Sequence, residues 1–352
     1  MTAHARQGIP LRPDRTALRD AAVTSLVRAC IATGLGTLDR TMPPATFARR
    51  AWDDRSVDLL LRAAVSPTTV AGTPELAQVA VALLETLVPA SAGADLMMRG
   101  IGLNFDGKAQ INCPGIAVPT ATFVAEGAPI PVVIAPTNAG ATLTPHKLAV
   151  ITSLTGEMMR NSNAETLVRQ VLVESTGPSI DAVIFSNNAA GAGPAGLLYN
   201  IAPLTPTAPG EKAQIIIDDL EKLATAVAPV AGNGEITLIG SPDVAVAMKF
   251  RTYGTVLWPV LASASIPSKT VIAVAAKAVV SVVEGAPEIT ASTEAEFHRE
   301  TNPQEIVTST GTVAVPVGSM FQTDSVALRL RWPISWSLRT SAGISWMSGV
   351  NW

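Results

Sequence analysis

Histidine, cysteine and tyrosine are nearly missing from this sequence, at three, two and two in 352 residues. Cys30 and Cys113 stand far apart and in no metal-ligand spacing. That excludes a disulfide framework and fits a reducing compartment or simple packing roles. His4, His146 and His298 are scattered. No pair has a zinc-site spacing and no H-E-x-x-H pattern occurs, so each reads as a surface or hydrogen-bonded residue rather than a base. A G-x-S-x-G elbow is missing too, and GISWMSG at 343–349 does not supply one.

Charge is also scarce. Charged residues make up 15% of the chain and apolar ones 48%, against a usual charged share of about 25%. Much of the surface must then be neutral, which suits a subunit covered by neighbours better than a lone enzyme. The charge present is uneven: residues 1–62 hold ten Arg and six Asp but no Lys or Glu, a balance of +4 that leaves −7 on the rest of a chain totalling −3. Such a segment is a solvated helical arm, or an arm facing a polyanion or a negatively charged partner. Long apolar runs are lacking. The longest, Val271 to Val283, is interrupted by Lys277 and is too short to span a bilayer. Arginines precede any apolar run at the N-terminus, which is no secretory signal. These features point to the cytoplasm and to no membrane partner.

The chain is long enough for one large or two ordinary domains. Leu18, Ala22, Leu26 and Ala29 give helical spacing over 16–33, ended by Gly34 and Gly36. Shorter helices are expected over 56–65 and 74–88, the latter opened by Thr73-Pro74-Glu75. From 100 to 152 the pattern is strand-like and rich in Pro, Gly and Thr. Asn163 caps a long helix to about Phe185, which Gly177-Pro178 should kink or break. A helix over 212–228 carries Ile216, Leu220, Leu223 and Val227 on one stripe; the strand EITLI and a helix opened by Ser241-Pro242-Asp243 follow. Strands are expected over 271–275, 277–283, 312–317 and 325–332, the last alternating Leu328, Leu330 and Trp332 with Ala327, Arg329 and Arg331. Helices and strands mix without βαβ repetition, which makes the fold class α+β.

Chemical motifs are weak. GAGPAG at 191–196 satisfies G-x-G-x-x-G, but a helix precedes it and Pro194 removes an amide donor, so it reads as a connector. Asp53-Asp54 and Asp218-Asp219 are adjacent pairs pointing about 100° apart on a helix, and read as solvated faces. Trp332, Trp336, Trp346 and Trp352 crowd the C-terminus, either as core or as subunit contacts.

FVAEGAPIP, residues 123–131, is the most unusual stretch. Pro129 and Pro131 cannot donate to a ladder and Gly127 permits a bend, so this is a stiff, extended loop with little of its own to bury Phe123, Val124 and Ile130 against. It is an active-site lid or an arm that packs on something else.

FVAEGAPIPV, then TLTPHKLAVITSLTGEMMRNS, a long helix and GPAGLL, with SMFQTDSVALRLRWPISWSLR and ISWMSGVNW near the end, resembles the major capsid proteins of tailed bacteriophages, the Hong Kong 97 phage-type fold. The resemblance covers roughly 70–352 and implies an N-terminal arm, extended loop, peripheral domain with a spine helix, and axial domain. On it, 1–65 is an Arg-rich helical arm or scaffold-like segment, and 66–117 the N-arm and start of the peripheral domain. Residues 118–150 are then the extended loop, 151–199 the peripheral domain with its spine helix, 200–285 the axial domain, 286–334 the peripheral return and 335–352 a C-terminal segment that goes back to the axial domain. It further implies inter-subunit contacts by Phe123, Glu126, Gly127, Pro129, Ile130, Pro131 and Lys147. Arg6, Arg12, Arg15, Arg19 and Arg28 would serve a scaffold role or face packaged DNA. The implied partners are further copies in pentamers and hexamers, with scaffold, maturation protease, portal and cement proteins, and no cofactor. The place would be the virion, assembled in the bacterial cytoplasm. Some members cross-link through a lysine near the loop tip; no lysine lies between 109 and 146 here, so no such bond is expected. An encapsulin-like compartment, and an enzyme with a 118–150 lid, are the alternatives.

Overall fold

The computed structural model describes residues 15–39, 42–63, 84, 87, 88, 90–105, 108–115, 123–124, 140–160, 164–233, 235–252, 256, 258–283, 288–297 and 318–352. Most of the helix expected over 74–88 and the strand expected over 312–317 lie outside them.

Helix α1 (Arg15–Leu38) continues through Gly34 and Gly36, where the sequence suggested an end. Packing explains this. A Cβ on Gly34 would come within 2.4 Å of the Met159 side chain, and one on Gly36 within 2.7 Å of the Pro44 ring. The glycines admit neighbours to the helix surface instead of terminating it. Val23, Leu26, Val27, Cys30 and Ile31 are all buried, the stripe that helical spacing demands. Helix α2 (Pro44–Ala51) has proline in its first turn. Helix α3 (Arg55–Ala63) starts where the Asp54 carboxylate accepts the Ser56 amide at 2.9 Å. Both pack on α1. The described part of the first 65 residues is thus a wall of the main core.

Helix α4 (Ala92–Arg99) has no counterpart in the sequence reading; Ser91 caps it, its hydroxyl accepting from the Ala94 amide at 3.0 Å. The main sheet runs β1 (Ile101–Leu103), β8 (Val279–Val283), β12 (Ser325–Leu338), β4 (His146–Thr155), with β9 (Glu288–Ser292) also paired to β12. Strand β12 is antiparallel to β4 from Ser325 opposite Thr155 to Ile334 opposite His146. Leu328, Leu330 and Trp332 are buried and Arg329 and Arg331 exposed as expected, but Ala327, expected beside the arginines, is buried, and the strand reaches Leu338. Helix α1 lies on β9 and β12. Helices α5 (Gly156–Arg160) and α6 (Ala164–Ile184) pack against α1 in turn.

Helix α6 runs unbroken through Pro178. An interior proline removes a helical hydrogen bond and costs about 3 kcal/mol. Tertiary contacts on either side hold the helix nonetheless: Thr176, Gly177, Ile180 and Asp181 are buried while Pro178 points to solvent.

A second sheet, β13 (Ile344–Ser348), β7 (Thr270–Ala275), β5 (Ile236–Gly240), β6 (Val260–Ala262), is covered by α7 (Lys212–Ala231) and flanked by α8 (Pro242–Arg251). The stripe Ile216, Leu220, Leu223 and Val227 of α7 is buried as expected. Strand β7 serves two cores: Val271, Ala273 and Ala275 pack with α7, while Ile272 and Val274 join the main core. Exposed Lys277, in the short 3-10 turn between β7 and β8, stands where the chain passes from one sheet to the other.

Candidate inter-subunit surfaces

A two-stranded neck holds the base of the long excursion. Strand β2 (Ile111–Cys113) pairs with β3 (Ala141–Leu143), Cys113 opposite Ala141. Phe105, Cys113, Ala141 and Leu143 pack beneath Val280 and Val282. A Cβ on Gly140 would lie 1.9 Å from the Cys113 carbonyl oxygen, so only glycine fits the crossing. Arg339 fastens the outgoing end, its Nε donating to the Pro114 carbonyl at 2.9 Å.

Beyond this neck Phe123 is wholly solvent-exposed and Val124 is exposed as well. Glu126, Gly127, Pro129, Ile130 and Pro131 lie outside the described residues. The returning limb rejoins the body by residue 141. Residues 141–143 and 146–150 are paired strands, because Leu148, Val150 and Leu154 alternate in register with Trp332, Leu330 and Val326. Lys147 therefore stands exposed on β4 opposite Pro333. His146 has Thr144 and the Ala192 carbonyl each 3.3 Å from a ring nitrogen.

The outer face of β4 is open. Lys147, Ala149, Ile151 and Ser153 project to solvent, with Arg331 across from Ala149 and Arg329 across from Ile151. Ile151 is 60% exposed. The Arg331 guanidinium lies 3.4 Å from the Glu288 carboxylate, so one of the two arginines on this face is paired.

Of the N-terminal arginines, Arg6 and Arg12 lie outside the described residues, and Arg15 and Arg19 fall on the opening turns of α1. Arg28 is committed within the chain: its Nε donates to Glu165 at 2.9 Å, Asp54 stands 3.8 Å away, and the Trp52 ring lies 5.6 Å beneath it. A guanidinium held by two carboxylates and an aromatic face already has partners within its own chain.

Two buried carboxylates escaped the sequence reading. Asp181 on α6 accepts the hydroxyls of Ser91 and Ser263 and the amides of Ala92 and Gly93, the latter at 3.2 and 2.9 Å. It thereby ties α6 to the start of α4 and to the segment after β6. Asp219, read as part of a solvated face, is fully buried. It accepts the Thr207 amide at 2.8 Å and hydroxyl at 2.6 Å and the Trp352 indole N–H at 2.8 Å. A short acid on a helix carries no local sign of burial; its donors stand far off in sequence.

The C-terminal tryptophans belong to the body: Trp332, Trp336 and Trp352 are buried, and Trp336 and Trp346 donate to the carbonyls of Ala195 and Ile201 at 3.1 and 2.9 Å. No helix opens after GAGPAG, so it lacks the phosphate-cradling geometry. Burial pushes the Cys30 thiol up to about 12, leaving it a neutral core side chain. Among the described residues no three His, Cys, Asp or Glu gather as a metal site, and no helix is long and apolar enough to cross a membrane.

No protein-family model matches the chain, and no curated protein matches it in sequence. Among solved structures, a chain of the satellite phage P4 procapsid, which includes its size determination protein, aligns over 82% of this chain and 95% of its own length at 11% identity and a TM-score of 0.50. A chain of Microbacterium phage Oxtober96 aligns over 73% and 90% at 15% identity and TM-score 0.49. The virus-like particle from Pyrococcus furiosus aligns over 78% and 100% at 12% identity and TM-score 0.43. At such identities the likeness speaks of fold alone. The chain has the α+β fold of phage capsid proteins, as its sequence resemblance implied.

Proposed function

We propose that this chain is a major capsid protein of a tailed phage or prophage: a structural, non-enzymatic subunit that closes through pentamers and hexamers into an icosahedral shell around DNA. The capsid fold carries this reading. The wholly exposed Phe123 beyond a fixed neck supports it, because an apolar side chain with nothing of its own chain to cover it calls for a neighbour. In this reading 114–140 is the arm that lies on the next copy, with Glu126, Gly127, Pro129, Ile130 and Pro131 keeping it extended. A stiff arm loses less conformational entropy on docking. Lys147 contributes from the sheet face. The main-sheet unit is the peripheral domain, α6 its spine, and the second sheet with α7 the axial domain. Residues 15–63 stay with the mature subunit, since α1 supplies the wall on which β12 packs. Arg6, Arg12, Arg15 and Arg19 remain the positions for DNA or scaffold contact, and protease, portal and cement proteins are the partners in assembly.

Light scattering on a sizing column with electron microscopy of the same fractions tests the shell. Closed spheres in the megadalton range are expected, with nuclease-protected DNA when produced in a packaging host. A stable monomer at all concentrations would refute the shell reading; closed particles that never hold DNA would favour the encapsulin-like alternative.

A further inference from the structure

We propose that copies of this chain touch through a specific pair of surfaces on the second-sheet unit: the projecting face of α8 on one copy seats in the groove beside α7 on the next. The proposal rests on the shell reading and names where neighbours meet. On α8, Val244 and Met248 are buried, while Val246 and Phe250 are 55% and 77% exposed. Four residues apart, those two share one face of the helix. Past the C-terminal end of that helix, whose cap Thr252 lines it, a groove of about 700 Å³ runs between α7 and Trp258, walled by Ile217, Ala224 and Val256. Ile217 and Trp258 are themselves 52% and 38% exposed. Neither Val246 nor Phe250 belongs to the walls.

Each copy thus carries an apolar projection, Val246 and Phe250, and a neighbouring apolar recess that those two side chains do not fill. Joining one to the other is a head-to-tail contact, which leaves a free projection at one end and a free recess at the other until a ring closes. Charge agrees with the pairing. Glu221 lies exposed on the groove wall, which has no basic residue among the described ones, and Lys249 lies exposed beside Phe250. Exposed apolar surface gathered in this way marks a contact site more often than chance solvent exposure does, and an acid facing a base sets the register of the approach.

The test uses the full chain. Phe250→Asp and Ile217→Asp should each cut the share of material in rings or closed particles at least tenfold, with circular dichroism unchanged. Glu221→Lys should weaken assembly, and adding Lys249→Glu should restore it. A chain carrying Val246→Cys and Thr225→Cys should, on mild oxidation of assembled particles, give a ladder of linked copies that wild type does not, since Cys30 and Cys113 are buried. If the variants assemble like wild type and the double-cysteine particles stay unlinked, the contact is wrong while the shell stands. If wild type never assembles and the double-cysteine chain stays unlinked, both fail. Links between pairs of copies without closed particles would support the contact and sink the shell.

Discussion

In the second sheet, β5 and β7 are buried along their whole length, with Ile236, Leu238, Val271 and Ala273 turned to α7 and Ile239, Ile272 and Val274 turned to the main core. In the main sheet, β4 is half-buried on one face and open on the other, where Lys147, Ala149, Ile151 and Ser153 meet solvent. A strand covered twice by its own chain has no surface left to offer, and reads as an unbroken apolar run. A strand covered once keeps an alternating pattern, and its open side is available to something else. The two sheets therefore separate what makes the subunit stable from what is left for neighbours.

The sharpest way to break that comparison is to place the same charge in both sheets. Ala273→Asp puts an unpaired carboxylate where β7 has no exposure on either side; the variant is expected to lose more than about 4 kcal/mol, or to fail to fold, by chemical denaturation and soluble yield. Next comes the tie between the units. Asp181→Ala strands two hydroxyls and two amides that now donate to one carboxylate, and should cost about 3–5 kcal/mol in urea unfolding followed by tryptophan fluorescence. An effect under about 1 kcal/mol would show that the two units are not coupled through this residue. Smallest is Ile151→Asp on the open face of β4. Subunit stability should move by less than about 0.5 kcal/mol, and a loss as large as that of Ala273→Asp would erase the distinction between the sheets.

Reading the sequence located the arm more readily than the residues that anchor it. Proline and glycine at 127–131 announce an extended segment by what they forbid, and Phe123 shows the exposure that segment implied. TLTPHKLAVITS carries both loop and strand signals, and the register with β12 decides that 146–155 is a strand of the main sheet. Arg28 shows a similar limit: composition reports that a segment is basic, but not that Glu165 lies beside one of its guanidiniums.

What the sequence determined by itself is local and periodic. The stripe of α7, the alternation of Leu328, Leu330 and Trp332 on β12, and the division of 271–283 into two strands follow from spacing and hydropathy, since the repeats of helix and strand fix which side chains share a face. Tertiary structure alone decided that Gly34 and Gly36 admit Met159 and Pro44 rather than end α1, that α6 survives Pro178, and that Asp181 and Asp219 are buried. In each case the deciding atoms belong to residues distant along the chain. A local preference worth about 1–3 kcal/mol yields when packing and hydrogen bonds from those partners outweigh it.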